Sequence, residues 1–218
     1  MGCITKGHSV VCADRNRRGG IKRIWLSELD SVTMGDFAID SATGTIDQMT
    51  SDAAYEFEFE RETAGFNANA TRENGSTKVD VELEFYVPKL TSEINQRLDE
   101  LACACGVVAV IETFADDGES TPQTYFFVLG WDNIFTKDAY LEFTSGEMQT
   151  GLALQDANGT LVKLAGVHGE YPRELKMDPA GDVVEGIYTS NAPASGYINI
   201  AWNDASLTNN KWRVRYGA

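Results

Sequence analysis

Histidine is nearly missing from this 218-residue chain, which has only His8 and His168. Two such distant imidazoles give little basis for a nucleophile–base pair or a histidine metal centre. No Gly-x-Ser-x-Gly elbow, phosphate loop, dinucleotide fingerprint or His-Glu-x-x-His motif accompanies them. Positive charge is also scarce. Against 33 Asp and Glu there are 18 Lys and Arg, a formal net charge of −15. That balance argues against a general nucleic-acid binder, which needs a basic footprint, and against docking on an anionic membrane.

Cysteine occurs four times, as Cys3, Cys12, Cys103 and Cys105, and neither pair has zinc-knuckle spacing. Asp116-Asp-Gly-Glu119 lacks the spaced oxygen ligands of a calcium loop. No catalytic, metal or cofactor site is therefore expected, and Cys105 reads as a small core residue. Long apolar runs are missing too: Gly106-Val-Val-Ala-Val-Ile111 suits a buried strand and is too short for a membrane span. The start, Met-Gly-Cys-Ile-Thr-Lys6, has neither an apolar signal region nor the Ser or Thr that a myristoylation pattern needs. The expected place of synthesis and initial residence is a cytoplasm.

What the chain does have is alternation. Residues 54–62 set Tyr55, Phe57 and Phe59 against Glu56, Glu58, Glu60 and Glu62. Residues 76–87 set Val79, Val81, Leu83 and Phe85 against Asp80, Glu82 and Glu84. Period-two patterning of this kind predicts strands with one buried face. If the two strands pair side by side, six carboxylates share one polar face, which must be wet because like charges across a sheet repel. The 13 residues from Thr63 to Gly75 look too long for a tight hairpin and read as a loop with Phe66 at an apolar tip.

A helix over 91–104 follows, with Thr91 as N-cap and Ile94, Leu98, Leu101 and Cys105 on one narrow stripe. Ile21–Leu29 predicts a strand with Ile24 and Leu26 on one side and Trp25 on the other. Strands are also expected over 107–114, 123–129, 138–144 and 148–156. Asn158-Gly159, between Leu152/Leu154 and Leu161/Leu164, carries a hairpin signature. Many strands and one helix predict a mainly β fold, a β-sandwich or partly closed barrel with the helix packed on it. Three regions are expected: an arm over 1–20, a core over 21–176, and a β extension over 177–218. The arm holds Arg15, Arg17 and Arg18, with Lys22 and Arg23 just beyond; in an acidic chain these cations suit the carboxylates of a neighbouring copy.

Acidic strands, a long connection, one capped helix and then a run of hairpins resemble the tail tube proteins of tailed bacteriophages and the related tube protein of type VI secretion. The relevant residues are 54–62, 76–87, Thr91 to Ala104 and the strands through Leu164, within about residues 20–176. The resemblance implies a virion subunit that forms six-membered rings stacked into a hollow tube for DNA passage. Other tail proteins, a sheath or baseplate, would be its partners. In that setting Glu56, Glu58, Glu60, Asp80, Glu82 and Glu84 would face the lumen, and Arg15, Arg17, Arg18 and Phe66 would contact other subunits. The stretch after Asp178 departs from a minimal tube subunit and leaves a baseplate or neck protein open. A carbohydrate-active enzyme would instead show a cleft with two unlike carboxylates, and a binding module would expose Trp202 and Trp212.

Overall fold

The computed structural model of the chain describes residues 19–32, 38–39, 43–50, 54–73, 75–113, 125–151, 158–175 and 187–188. Its strands are β1 (Ile21–Glu28), β2 (Ala38–Ile39), β3 (Ile46–Thr50), β4 (Tyr55–Glu56), β5 (Ala64–Glu73), β6 (Ser76–Pro88), β7 (Val107–Thr113), β8 (Phe126–Leu129), β9 (Glu142–Gln149), β10 (Gly159–His168), β11 (Arg173–Leu175) and β12 (Ile187–Tyr188). The helix is α1 (Ser92–Cys103). A four-stranded sheet has the order β5-β6-β10-β9, every pair antiparallel. An eight-stranded sheet has the order β12-β3-β11-β8-β7-β1-β4, with β2 also on β3. It is antiparallel except where β11 and β12 pair with β3.

This corrects the expected architecture. Among the described residues the chain is a mixed α/β fold with two open sheets and one helix, not the expected mainly β fold with a closed or partly closed barrel: β5 and β9 bound the smaller sheet, β4 and β12 the larger. Alternation fixes which face of a strand is buried. Closure depends on whether distant edges meet, and no local pattern carries that information.

Burial follows residue type closely. Residues 107–111 of β7 are an unbroken apolar run because both faces of the strand are covered there: Val107, Ala109 and Ile111 enter one core, Val108 and Val110 a second. β1 divides in the same way, Ile24 and Leu26 to the first core and Trp25 to the second, as its sequence predicts. The first core lies where the two sheets meet, since Val79, Val81, Leu83 and Phe85 of β6 and Val162 and Leu164 of β10 join it. Leu98 and Leu101 bring α1 onto it, and the Thr91 hydroxyl caps the helix by accepting from the Ile94 amide.

Five local expectations fail. The predicted loop over 63–75 is mostly β5, which pairs with β6 in unbroken register from Ala64↔Phe85 to Glu73↔Ser76. Gly75, just before Ser76 where that hairpin closes, has φ 87°, where a side chain would be strained. The predicted strand over 54–62 is cut short to β4. Beyond it, the Phe57 amide donates to the Ile24 carbonyl and the Glu60 amide to the Tyr86 carbonyl, so the segment crosses from one sheet to the other. Gly159 is no turn residue: it sits in β10 opposite Pro88 and Gln149, and a Cβ there would lie 2.2 Å from the Val87 carbonyl oxygen. Finally, α1 ends at Cys103 and Ala104 is extended, so Cys105 leaves the helical stripe and is exposed. The strand expected over 138–144 begins only at Glu142. Leu152, Leu154, the 115–118 turn, Cys3, Cys12 and most of the expected arm and C-terminal extension lie outside the described residues.

Candidate functional site

The smaller sheet presents its second face to solvent. On β6, Asp80, Glu82 and Glu84 point outward, opposite in phase to the buried Val79, Val81, Leu83 and Phe85. Their cross-strand neighbours are not carboxylates. On the β5 side they face Asn69, Asn67 and Gly65, and on the β10 side Val167, Ala165 and Lys163. Like charges directly opposite each other on a sheet are destabilising, and this register avoids all such pairs on β6. Lys163 pairs with Glu84 at 2.9 Å and Lys78 with Asp80 at 2.9 Å. The Glu84 contact also holds the Lys163 ammonium above its ordinary pKa.

At one end of this face an open groove of about 400 Å³ is lined by Asp80, Glu82, Asp138, Tyr140, Glu142 and Thr144, among others. Glu142 hydrogen-bonds the Tyr140 hydroxyl and raises its pKa. Among the described residues no three His, Cys, Asp or Glu side chains converge as metal ligands.

The six carboxylates singled out from sequence divide into two groups. Asp80, Glu82 and Glu84 share the outer face of the smaller sheet. Glu56 is on β4 in the larger sheet, and Glu58 and Glu60 are exposed on the crossing segment. The premise that the two acidic strands pair side by side is overturned: β4 pairs with β1, and β6 with β5 and β10. Phe66 is half-buried in its own chain, 5.9 Å from the Phe127 ring. Arg15, Arg17 and Arg18 lie outside the described residues, as do Trp202 and Trp212.

Two buried polar clusters escaped the sequence reading. Glu112, fully buried, receives Lys22 at 2.7 Å and Arg23 at 2.5 Å. Consecutive strand residues normally point to opposite faces. Here Ile21 pairs with Thr113 but Arg23 with Glu112, so the extra residue, Lys22, forms a bulge that lets both cations reach one carboxylate. Arg23 also lies 5.2 Å from the Trp25 ring centroid. Glu56 is nearby, its pKa raised chiefly by burial while Arg23 pulls it down. Lys22 and Arg23, expected at a neighbour's surface, are therefore held within the chain.

The second cluster organises the turn after β8. Asp132, almost fully buried, accepts from the amides of Ile134, Phe135 and Gly169. His168 is fully buried, and its Nε2 accepts from the Gly130 amide at 3.1 Å. That leaves the proton on Nδ1, which has no partner, and burial pushes the imidazole below its ordinary pKa against the pull of Asp132 and Glu170. Glu170 is forked to Arg173 at 2.7 and 2.6 Å and accepts from the Asn133 amide. Its carboxyl is held low, first by Arg173. These groups fix backbone geometry: the Asp132 oxygens are taken up by amides, and His168 has no solvent-facing surface.

A charged residue closing an otherwise apolar β7 run is the signal that could have flagged Glu112. The Gly130-Trp-Asp-Asn133 turn chemistry could have flagged Asp132. No family model, curated protein or solved structure matches this chain.

Proposed function

We propose that the chain is a structural subunit of a bacteriophage tail tube, repeated around a ring whose stacking makes a hollow conduit for DNA. The observation that supports this best is the β5 edge of the smaller sheet. β5 is ten residues long and in unbroken register with β6, and from Ala64 to Thr71 it carries neither a charge nor a proline. Long edges in monomeric proteins are usually blunted by charges, prolines or bulges, because unpaired backbone groups recruit another strand.

The sheet's four strands run alternately up and down. A neighbour related by rotation about a ring axis would therefore bring its β9 antiparallel to β5 and extend the sheet. Such a head-to-tail contact generates a ring when the rotation closes. The β9 edge carries a bulge at Thr144, where Lys163↔Ser145 shifts to Leu164↔Phe143, and bulges add the bend that a curved wall needs. The outer face, with Asp80, Glu82 and Glu84, would line the channel. A wet negative wall repels the phosphates of a passing duplex and gives it no site to stall on. Glu56, Glu58 and Glu60 lie off that sheet and drop out of the lining.

Six subunits per ring, sheath or baseplate partners and a virion location come with the family resemblance; the absence of catalysis rests on the missing sequence motifs. Negative-stain microscopy with mass measurement on the purified chain tests the reading. Rings or tubes are the expected result; particles of the 23.9 kDa single chain at all concentrations would overturn it.

A further inference from the structure

His168, at the end of β10, is 0% exposed, and its Nε2 accepts from the Gly130 amide at 3.1 Å in a buried bond. That bond requires a neutral ring with its proton on Nδ1, and Nδ1 has no partner among the described residues. The donor is fixed in place by its backbone. Gly130 has φ 86°, and a Cβ there would lie 2.5 Å from the Val107 carbonyl oxygen.

The segment that follows Gly130 has little apolar burial to hold it. Trp131 and Ala139 are buried, whereas every residue from Asn133 to Asp138 is exposed. Apolar packing therefore fastens the two ends and not the span between them. Polar contacts hold the span: Asp132 accepts from the amides of Ile134, Phe135 and Gly169, and Glu170 from the Asn133 amide. Within it Thr136 has φ 54° and ψ −119°, outside the regions that a β-branched residue occupies without strain. A strained span on polar supports opens at small cost once one support is withdrawn.

We propose that His168 is an acid-sensitive latch: neutral, it holds the segment from Gly130 to Asp138 closed on the end of β10, and protonated, it lets that segment open. An imidazolium carries N–H on both nitrogens and accepts nothing. Its Nε2 proton would point at the Gly130 N–H, so the bond is lost and two buried donors face each other. Charged groups act on the ring from two turns. Asp132, after β8, and Glu170, after β10, both favour the imidazolium, and burial outweighs them. Glu170 is already forked to Arg173 of β11, and the Asp132 oxygens are taken up by amides. An imidazolium that recruits Asp132 therefore does so at the expense of the turn. β6 places the apolar Val79 opposite His168, and the flanking Lys78 and Asp80 pair with each other.

Opening would also change the outer surface. The groove of about 400 Å³ is built from Asp80 and Glu82 of β6 together with Asp138 on the segment and Tyr140 and Glu142 just beyond it. Release of the segment takes Asp138 out of that lining. Leu141 and Val107, which exchange both backbone hydrogen bonds, mark where the movement stops. The latch belongs to the single chain and does not depend on ring formation.

Amide hydrogen exchange on the full chain at pH 7.5 and 5.5, corrected for the rates of unstructured peptide, tests the latch. A group that protonates only in the open state, with the ordinary pKa of about 6.5, multiplies the open fraction by about ten across that interval. The expected result is a loss of protection of about five- to tenfold at Gly130, Ile134, Phe135 and Gly169, while Val81, Leu83, Val162 and Leu164 of the same sheet keep theirs. An equal loss throughout β6 and β10 would mean global unfolding and overturn the latch, as would no loss at the turn. In His168→Gln the side chain cannot titrate, so protection of the turn should be the same at both pH values. A wild-type pH dependence in that variant would assign the titration to other groups and overturn the proposal. Should the variant fail to fold, NMR of the two wild-type imidazoles decides. His168 should be the neutral Nδ1–H tautomer at pH 7.5. The Nε2–H tautomer there, or a ring protonated at pH 5.5 while the turn stays protected, would overturn the latch.

Discussion

Glu112 should be far more sensitive to losing its cations than the cations are to losing Glu112. The carboxylate side chain is 0% exposed, whereas those of Lys22 and Arg23 are 33% and 23% exposed. Replacing both cations in Lys22→Met/Arg23→Met leaves a buried negative charge that cannot reach water. Breaking a buried pair in this way costs about 3–5 kcal/mol. In Glu112→Gln the two cations can turn outward, and the amide keeps part of the hydrogen bonding, so the loss is about 1–3 kcal/mol.

Urea unfolding separates the two. With a slope of about 2–3 kcal/mol/M, the double variant should shift the midpoint down by roughly 1–2.5 M and Glu112→Gln by clearly less, the slope itself unchanged. A larger loss from Glu112→Gln than from the cation pair would refute the reasoning. It would mean that other donors solvate the carboxylate and that the bulge at Lys22 serves another purpose.

His168 gives a pH dependence of defined sign. Its folded pKa lies below the ordinary 6.5, so the unfolded chain binds the extra proton and stability falls as pH drops below about 6.5 toward the folded value. Glu56 and Glu174, raised by burial, act in the opposite direction above 4.5, so the midpoint difference between wild type and His168→Gln across pH 5–8 isolates the imidazole; a difference flat with pH would count against it. Gly75→Val should destabilise by about 1–2 kcal/mol through its φ of 87° alone, read as a lower urea midpoint; a neutral result would mean that the turn relaxes to a type with negative φ.

What the sequence disclosed was what a residue's near neighbours determine. The split of Ile24 and Leu26 from Trp25, the doubly covered β7 and the Thr91 cap all follow from spacing within a few residues. β5 looks like a loop in sequence because its inward side chains are mostly small: Ala64, Phe66 and Ala68 alternate with Gly65, Asn67 and Asn69, a true period-two pattern with little hydrophobic contrast. Cys105 continues the helical spacing in sequence but lies two residues past the end of α1, and spacing alone does not mark where a helix stops. The partners of each strand were beyond reach. β4 and β6 look alike in sequence, yet they belong to different sheets, and only that separation decides which carboxylates share a face.

That separation also explains how so acidic a chain folds. Its negative charge is dispersed in three ways, each visible in the register. On the outer face of β6, carboxylates alternate with buried residues along the strand and face Asn, Gly, Ala, Val or Lys across it. In the interior, Glu112 is met by two cations brought together by a bulge. At the end of β10, Asp132 and Glu170 are taken up by backbone amides and Arg173. The first device leaves charge in water and sheds strong ligands; the third removes it from a surface and leaves apolar side chains there. A carboxylate introduced at the exposed Ile134, or an apolar residue at the exposed Glu82, should therefore leave the fold intact, read as an unchanged circular-dichroism spectrum and a urea midpoint shifted by little; a large loss of stability at either position would refute this.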